Sequence, residues 1–359
     1  MTTAAPIPAT RVLLLGCGGI GGTLAAHLTA AGANVCVVTR SAAVAEAVNR
    51  RGFRITGVGA PGAGHTIPGR VEVGIPAGAG PFDLAFLATQ PTDLDVAARQ
   101  AFAHLAPEGR LVTFPNGLPE ERVARVVGDP TRVLGAIVGF GASHPEPGVF
   151  ERTSKGGFAI GRLDGQPDPA LLSLAALLAP IAPVHVSDNL RGARWSKLAI
   201  NAAVSSLGTL GGDRLGVLLR RRHARRLALE IITEVVDVAR REGVRLQPIS
   251  GTIDLDWLAL SDAERSGVSV SLLLKHAILM LVGFRYRRLR SSMLAALERG
   301  QVPPVAFLNG EVTARADAHG VAAPINRAVV ARILELATGA RRPAHAQLDA
   351  LYADTRVGP

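Results

Sequence analysis

The chain contains a glycine-rich segment of the kind that binds a diphosphate. Gly16, Gly18 and Gly21 have the G-x-G-x-x-G spacing, which allows a tight turn, a close backbone approach to a pyrophosphate and close packing of the next helix. An apolar run, Arg11 to Leu15, precedes them, and a helical pattern follows. We therefore favour a dinucleotide site over a glycine turn that binds nothing. Its predicted contacts are Gly16, Cys17, Gly18, Gly19, Ile20 and Gly21.

The next apolar strand, Asn34 to Thr39, ends at Arg40 and Ser41. An NAD site usually has Asp or Glu at this corner, whereas a guanidinium and a hydroxyl suit the 2′-phosphate of NADP. The corner therefore favours NADP as the cofactor. A solvated arginine is the alternative, and it has weight because 36 of the 39 basic residues are arginine.

Polar residues follow two further predicted strands. Thr89 and Gln90 come after Asp83 to Ala88, and Asn116 follows Arg110 to Phe114. The carboxyl ends of strands in a doubly wound sheet face the cofactor. Thr89 and Gln90 are thus predicted cofactor contacts, and the Asn116 amide could hold nicotinamide or substrate. A simple turn asparagine before glycine is an equally good interpretation of Asn116.

A lysine and an asparagine lie four residues apart in the helical segment RGARWSKLAINAAVSS. Lys197 and Asn201 therefore share one helix face, while Trp195 and Leu198 serve packing. Desolvation can lower the pKa of an ammonium until it acts as a general acid, which a guanidinium cannot do. Simple exposure on the helix surface is the alternative, and the segment alone favours it.

Composition indicates a globular protein with a large core. The 359 residues are 48% hydrophobic and 19% charged, with a net charge of +10. The densest basic run, Arg220 to Arg226, lies in a helical pattern with few aromatics nearby, so we expect a solvated helix face and no nucleic-acid partner. The nine histidines show no metal-ligand spacing, so no metal is predicted.

Targeting signals are not apparent. Residues 1–10 lack the features of a signal peptide and are predicted to be a disordered tail. The two cysteines form no disulfide framework, which favours a reducing, cytoplasmic compartment. The longest apolar run, Val268 to Phe284, is interrupted by Lys275 and His276 and is too short for a membrane span. It is predicted to be a buried or interface helix.

The order of predicted elements divides the chain in two. Strands and helices alternate up to Ser187, which predicts an α/β class with a Rossmann-type doubly wound sheet over residues 11–187. Residues 188–359 are predicted to form an all-helical substrate and dimerisation domain. Its predicted helices are Leu190 to Ser206, Arg214 to Glu242, Leu272 to Phe284, Met293 to Arg299, Val305 to His319 and Asn326 to Leu336.

A set of motifs in a fixed order resembles the ketopantoate reductase family. The motifs are GCGGIGG, Arg40, FPNG at 114–117, PGVF at 147–150, RWSKLAIN at 194–201, SSML at 291–294, LERG at 297–300 and FLNG at 307–310. The resemblance implies an NADPH-dependent reductase of 2-oxo acids, with a Rossmann domain and a helical domain around a cleft. It also implies roles for residues of these motifs. Lys197 would be the general acid, with Asn201 beside it in the active site. Asn116, Ser205, Ser291 and Ser292 would contact the substrate, and Asn116 would also contact nicotinamide.

The sequence departs from the family pattern at several residues that the resemblance assigns to the active site. Pro304 replaces the family's active-site glutamate and Ala306 an aspartate, Ser205 replaces an asparagine, and Gln90 replaces a lysine. The segment Gly251 to Arg290 is longer and more apolar than is usual in the family, which suits a cleft wall for a bulkier ligand.

Three functions follow from these observations. The first is an NADPH-dependent reductase of a carbonyl or imine other than ketopantoate, and the second is ketopantoate reductase itself. The third is a non-redox isomerase or cyclase, or a nucleotide-sensing protein, on the same scaffold. We expect a small-molecule substrate, no membrane partner and a possible homodimer.

Overall fold

The computed structural model describes residues 9–60, 64–248, 254–267 and 269–355. The chain forms two compact units, the first ending at Arg191 and the second beginning at Gly192. Most of the predicted N-terminal tail, and Val268 at the start of the apolar run, lie outside the described residues. Each unit is considered in turn.

The strands all belong to the first unit. They are β1 (Arg11–Leu15), β2 (Asn34–Thr39), β3 (Phe53–Gly57), β4 (His65–Ile67), β5 (Glu72–Val73), β6 (Phe82–Leu87), β7 (Leu105–Thr113), β8 (Val133–Val138), β9 (Ala142–Glu146), β10 (Val149–Arg152), β11 (Phe158–Gly161) and β12 (Val184–Val186). The first unit also contains helices α1 (Gly19–Ala30), α2 (Ala42–Arg51), α3 (Leu94–Phe102), α4 (Pro119–Val127) and α5 (Ala170–Leu178).

The main sheet has the spatial order β12, β11, β8, β7, β6, β1, β2, β5. From β8 to β5 all neighbouring strands are parallel, and β11 joins β8 antiparallel. The chain runs from β1 outward through β2 to β5 and then returns to β6 on the other side of β1. This reversal is the topological switch point of a doubly wound sheet, so the predicted α/β class is confirmed.

Strand β1 is buried on both faces, as its unbroken apolar run predicts. Val12 and Leu14 belong to the core that contains α1, whereas Leu13 and Leu15 belong to the core that contains α3. Helices therefore cover both faces of the sheet, the arrangement expected when a strand shows no polar alternation.

A second, four-stranded sheet has the order β4, β3, β10, β9. Within it, β9 and β10 are consecutive along the chain and pair antiparallel. Phe150 of β10 lies against α1, where a Cβ atom built at Gly22 would be 2.0 Å from its ring. Glycine at position 22 therefore lets this sheet pack directly on α1.

The second unit is helical. Its helices are α6 (Leu190–Gly211, which begins just before the border), α7 (Leu215–Leu218), α8 (Arg222–Arg241), α9 (Leu255–Leu258), α10 (Asp262–Ser266), α11 (Val270–Arg285), α12 (Ser292–Glu298), α13 (Asn309–His319), α14 (Pro324–Ala337) and α15 (His345–Asp354). Within the described ranges, no helix has both the length and the apolar character needed to cross a membrane.

Several predicted elements need correction. The single helix predicted from Arg214 to Glu242 is instead α7 followed by α8. Helix α7 packs against α11, where a Cβ atom at Gly216 would be 2.8 Å from the Gly283 carbonyl oxygen. The strand predicted from Arg110 to Phe114 is longer: it begins at Leu105 and ends at Thr113 as β7. Helix α4 was not predicted, although Pro119 at its first position and Gly128 at its end are typical boundary signals.

A buried ion pair attaches α11 to α10. The Lys275 ammonium lies 2.6 Å from the Glu264 carboxylate and 2.7 Å from the Ala259 carbonyl oxygen, and both charged side chains are buried. Burial alone would raise the pKa of Glu264, but hydrogen bonds from Lys275, Ser271 and Ser261 outweigh it and lower that pKa to about 2. The carboxylate thus stays charged at neutral pH.

We predict that Glu264→Gln lowers the free energy of unfolding at pH 7 by about 3–5 kcal/mol, because it leaves the Lys275 charge buried without a counter-charge. A carboxyl whose pKa falls on folding stabilises the native state above its unfolded pKa near 4.5, and this stabilisation is lost as the pH falls toward 2. The variant should therefore lose part of the pH dependence in that window. Denaturant titration at pH 7 and pH 3 measures both effects. The double variant Glu264→Gln/Lys275→Met is the control and should recover most of the lost stability; no recovery would show that the ion pair is not the cause.

Candidate active site

The predicted diphosphate loop lies at the switch point of the main sheet. Gly16 has a φ of +103°, and a Cβ atom there would be 2.6 Å from the Ala88 carbonyl oxygen at the end of β6. A Cβ atom at Gly21 would be 1.8 Å from the Gly16 carbonyl oxygen. These two glycines are therefore required by the fold itself, whether or not a ligand binds.

Gly18 differs from its neighbours because no described part of the chain crowds it. Its φ is −85°, and the nearest atom to a Cβ built there is the His144 ring carbon at 4.0 Å. Gly18 precedes α1, whose first turn has no side-chain cap among the described residues and no acidic residue. An open approach to uncapped helix amides is the geometry that receives a phosphate.

The other predicted loop residues have structural roles. Burial raises the pKa of the Cys17 thiol to about 12, so this side chain is a neutral apolar group and not a thiolate. Ile20 packs against the core of the first unit. A Cβ atom at Gly19 would be 2.6 Å from the Ala142 carbonyl oxygen, which shows that β9 passes directly beside the loop.

The predicted residues after β6 and β7 lie at the same edge of the sheet as the loop. Leu15 pairs with Leu87, and Leu87 with Thr113, so these three strands end in register. The Thr89 hydroxyl is buried and has no hydrogen-bond partner within the described chain, whereas Gln90 and Asn116 are exposed. A buried hydroxyl without a partner costs free energy unless a ligand satisfies it, which suits Thr89 to a cofactor contact.

The predicted 2′-phosphate corner contains an ion pair. The Arg40 guanidinium lies 2.6 Å from the Asp93 carboxylate, and the arginine side chain is 83% exposed. Asp93 stands in the turn before α3 and was not predicted, because 53 residues separate it from Arg40. The Ser41 hydroxyl accepts a hydrogen bond from the Val44 amide and caps α2, so it already has one structural role.

Lys197 and Asn201 lie in the second unit on one stripe of α6. Most of α6 is buried; the half-buried residues are Arg191, Lys197, Ile200, Asn201 and Val204. Ile200 and Asn201 lie three and four residues after Lys197, and Val204 lies three residues after Asn201. These four residues therefore share one face of the helix. The neighbouring Trp195 and Leu198 are buried, as predicted for packing residues.

The predicted serines differ in their surroundings. Ser291 is buried, and its hydroxyl bonds with the Ser205 carbonyl oxygen and the Thr209 hydroxyl while also capping α12. These contacts indicate that Ser291 fixes α12 on α6. Ser292 is exposed at the first position of α12, and Pro304 begins a 3-10 turn that ends at Phe307.

A network of hydrogen bonds between buried side chains, which was not predicted, holds α6 in place. The Ser206 hydroxyl donates to Asn309 (2.7 Å), Asn309 donates to Asn326 (2.9 Å), and Asn326 donates to Glu234 (2.7 Å). Burial raises the pKa of Glu234, while the amides of Asn326 and Ile325 donate to its carboxylate and partly offset that effect. Asn309 belongs to the FLNG motif, which was the one sequence signal that pointed to any of these hydrogen-bonded residues.

Comparison with known proteins covers both units. The family model described as "Ketopantoate reductase PanE/ApbA" matches residues 12–165, and the corresponding C-terminal model matches residues 189–337. The chain is 25% identical to a 2-dehydropantoate 2-reductase of Pyrococcus abyssi over 317 residues, which are 88% of this chain and 94% of that protein.

Solved structures share the fold. A PanE/ApbA family ketopantoate reductase from Ralstonia eutropha has a TM-score of 0.75 at 24% identity, covering 92% of this chain and 99% of its own. A D-mandelate dehydrogenase solved with NADH and anilino(oxo)acetate has a TM-score of 0.74 at 16% identity, covering 95% and 99%. With both family models matched along the chain, the protein belongs to the ketopantoate reductase family of oxidoreductases.

Proposed function

We propose that this protein is an NADPH-dependent reductase of a 2-oxo acid, or of a related ketone or imine, and that ketopantoate is not its main substrate. The observation that carries the proposal is the half-buried stripe of α6 that presents Lys197 and Asn201 on an otherwise buried helix. A lysine there is accessible to a ligand on one side and shielded from bulk water on the other, which suits a proton donor.

The proposed division of roles follows from the chemistry of each group. A nicotinamide cofactor, when bound, would supply the hydride for the carbonyl carbon. Lys197 gives a proton to the carbonyl oxygen, and Asn201 orients the substrate through its amide. In the first unit, Gly18 admits the diphosphate, Thr89 offers its unpartnered hydroxyl and Arg40 meets the 2′-phosphate.

The proposed preference against ketopantoate rests on Pro304. Proline has neither a charged side chain nor an N–H, so it cannot replace the hydrogen bonds that the family resemblance assigns to a glutamate. Its neighbours Val305, Ala306 and Phe307 are apolar. The fold also accommodates a bulkier 2-oxo acid analogue in D-mandelate dehydrogenase, which supports a larger, less polar substrate here.

The test of this proposal is NADPH consumption with a panel of 2-oxo acids, ketones and cyclic imines. We expect a bulky 2-oxo acid or imine to be used best, with kcat/KM for ketopantoate below about 10⁴ M⁻¹s⁻¹.

In the same assay Lys197→Ala should lower turnover by about 10²- to 10⁴-fold with NADPH affinity unchanged. Lys197→Arg should not restore turnover, because arginine stays protonated.

Two outcomes would contradict this assignment. A higher kcat/KM for ketopantoate would favour ketopantoate reductase itself, since another residue would then have replaced the glutamate. Tight NADPH binding without consumption of NADPH by any substrate would favour the non-redox or nucleotide-sensing alternative.

The Arg40–Asp93 pair predicts opposite effects of two substitutions on cofactor choice. Arg40→Ala should remove most of an NADPH preference worth about 1.5–3 kcal/mol. Asp93→Asn should tighten NADPH binding by up to about fivefold, because an exposed ion pair that competes for Arg40 is worth at most ~1 kcal/mol. Fluorescence titration measures both, and NADH affinity should stay constant in each variant. Equal NADPH and NADH affinity in the unmodified protein would refute the assignment of Arg40.

We predict that alanine substitutions at two glycines of the loop have different effects, one on nucleotide binding and the other on folding. Gly18→Ala should leave the melting temperature nearly unchanged and weaken nucleotide binding more than tenfold, because a methyl group fits the fold but obstructs the diphosphate. Gly21→Ala should instead prevent stable folding, since its Cβ would overlap the Gly16 carbonyl oxygen. Thermal melts and nucleotide titration distinguish the two. Normal nucleotide affinity in Gly18→Ala would place the diphosphate elsewhere.

A further inference from the structure

The second unit contains a cleft of about 350 Å³ that the proposed reaction does not use. Its walls are formed by one face of α8, by Leu260 and Arg265, by the start of α14 and by Thr355. None of its described lining residues belongs to α6, the helix that carries Lys197. Sites for small molecules have volumes of roughly 300–1,000 Å³, so the cleft has the size of such a site. We refer to it as the α8 cleft.

Most of the charges in the wall of the α8 cleft are paired. Arg226, Glu230 and Glu234 follow one another at intervals of four on α8 and therefore share one helix face. The Arg226 guanidinium lies 2.5 Å from the Glu230 carboxylate and donates to two backbone carbonyl oxygens of α10, at 2.8 and 2.9 Å. The other cation of the wall, Arg265, forms an ion pair with Asp237. Neither arginine is thus available to neutralise Glu234.

Glu234 is a buried carboxylate whose hydrogen-bond partners are all amides. The residue is 5% exposed, and it accepts from the backbone amides of Ile325 and Asn326 (2.8 Å each) and from the Asn326 side chain (2.7 Å). Among the residues that the structure describes, no arginine, lysine or histidine forms an ion pair with it. Burial, and to a smaller extent the nearby Glu230 charge, raise the pKa of Glu234. The charged carboxylate would therefore gain from a cation.

The remaining acceptor capacity of Glu234 leaves room for such a cation. A carboxylate has about four lone-pair positions for hydrogen bonds, and the three amide donors use three of them. An ammonium group has three N–H donors and forms charge-assisted hydrogen bonds that are stronger than neutral ones. The site thus has one free position for an ammonium N–H.

The rest of the α8 cleft indicates that the cation is organic. Within the described ranges, no group of three or more His, Cys, Asp or Glu residues is placed to hold a metal ion. A single ion would also leave most of the cleft unfilled. Part of the wall is apolar, with Leu260, Pro324 and Ile325 among its residues. A molecule with an ammonium group and an apolar body matches both the charged and the apolar part of the wall.

We propose that the α8 cleft binds a small organic amine, with its ammonium group bonded to Glu234 and its apolar body against Leu260, Pro324 and Ile325. The proposal does not depend on the reductase assignment, because neither the cleft nor its ligand takes part in the proposed hydride and proton transfers. Its tests therefore measure binding and need no turnover.

The proposed ligand would also strengthen a contact that supports α14. Ala323, the residue before α14, cannot cap the helix with its side chain, and the Glu234 carboxylate accepts from the first-turn amides instead. An ammonium bonded to Glu234 keeps this carboxylate ionised, which favours the cap. The same carboxylate ends the hydrogen-bond network that runs through Asn326 and Asn309 to α6. Binding should therefore stabilise the start of α14 and this network.

Calorimetric titration and thermal melts of the full chain test the proposal with simple probes. The probes are cyclohexylamine and n-hexylamine, with cyclohexanol and cyclohexanecarboxylate as the neutral and anionic counterparts, all at equal ionic strength. We expect at least one amine to bind at millimolar concentrations and to raise the melting temperature. Cyclohexanol should bind at least ~10-fold more weakly than cyclohexylamine, because it has no charge to pair with Glu234.

Two variants locate the binding site. Glu234→Gln should weaken amine binding by about 10- to 100-fold, but it also removes an acceptor from the α14 amides. Ala322→Trp is therefore the second variant: Ala322 is exposed and lines the cleft, so the indole ring fills the cleft and leaves the Glu234 hydrogen bonds in place. Ala340→Trp is the matched control, because Ala340 is exposed in the same unit and is not a lining residue. It should bind the amine normally.

Hydrogen exchange tests the expected effect on α14. At an amine concentration ten times the dissociation constant, exchange of the Ile325 and Asn326 amides should slow about tenfold, because opening of this helix end destroys the site. The Ala322→Trp variant should show no such slowing.

Four results would overturn the proposal. Absence of binding by both amines would show that Glu234 serves only to cap α14. Equal affinity for cyclohexylamine and cyclohexanol would remove the role of the charge, and undiminished amine affinity in Ala322→Trp would place the amine outside the α8 cleft. Tighter binding of cyclohexanecarboxylate than of cyclohexylamine would assign the cleft to an anion.

Discussion

The first unit depends on two places where backbone meets backbone with no side chain between them. At Gly16 the loop touches the end of β6, and at Gly21 the first turn of α1 touches the loop itself. These contacts bring the end of β1, the start of α1 and Thr89 to one point at the switch of the sheet. The glycine loop and Thr89, two of the proposed cofactor contacts, meet at that point, and Gly18 alone among the three motif glycines has space beside it.

The second unit holds one long helix, α6, so that a single stripe of it is partly accessible. Apolar packing buries α6, but packing alone tolerates rotation of a helix about its axis. The hydrogen bonds from Ser206 through Asn309 and Asn326 to Glu234, and those of Ser291 with Ser205 and Thr209, are directional. Because an unsatisfied buried polar group is costly, these bonds favour one rotation of α6 and so decide which side chains share the half-buried stripe.

Lysine is rare in this chain, and its described helical positions show that rarity alone does not identify a catalytic group. Lys275 lies in a buried ion pair that attaches α11 to α10, whereas Lys197 lies half-buried on α6. The compact ammonium suits both environments, since it can bond a carboxylate and a carbonyl oxygen in a small space. The distinction between the two lysines lies in their surroundings, which the composition of the chain does not reveal.

The sequence by itself determined the class of fold, the family and the positions of most elements, because each of these depends on local patterns. Local patterns depend only on neighbouring residues, and here they are the unbroken apolar strand, the glycine spacing and the alternation of helix and strand. The family motifs, which are also local, singled out Lys197 and Asn201 as candidate site residues. Short elements without strong patterns, such as α4, and the break between α7 and α8 were missed. The tertiary structure alone decided that Arg40 meets Asp93, that Ser291 fixes α12 on α6, that Asn309 links α6 to Glu234, and that one face of α11 is exposed. The physical reason is that each of these depends on a partner distant in sequence, or on which side of a helix packing leaves open, and no local spacing specifies either.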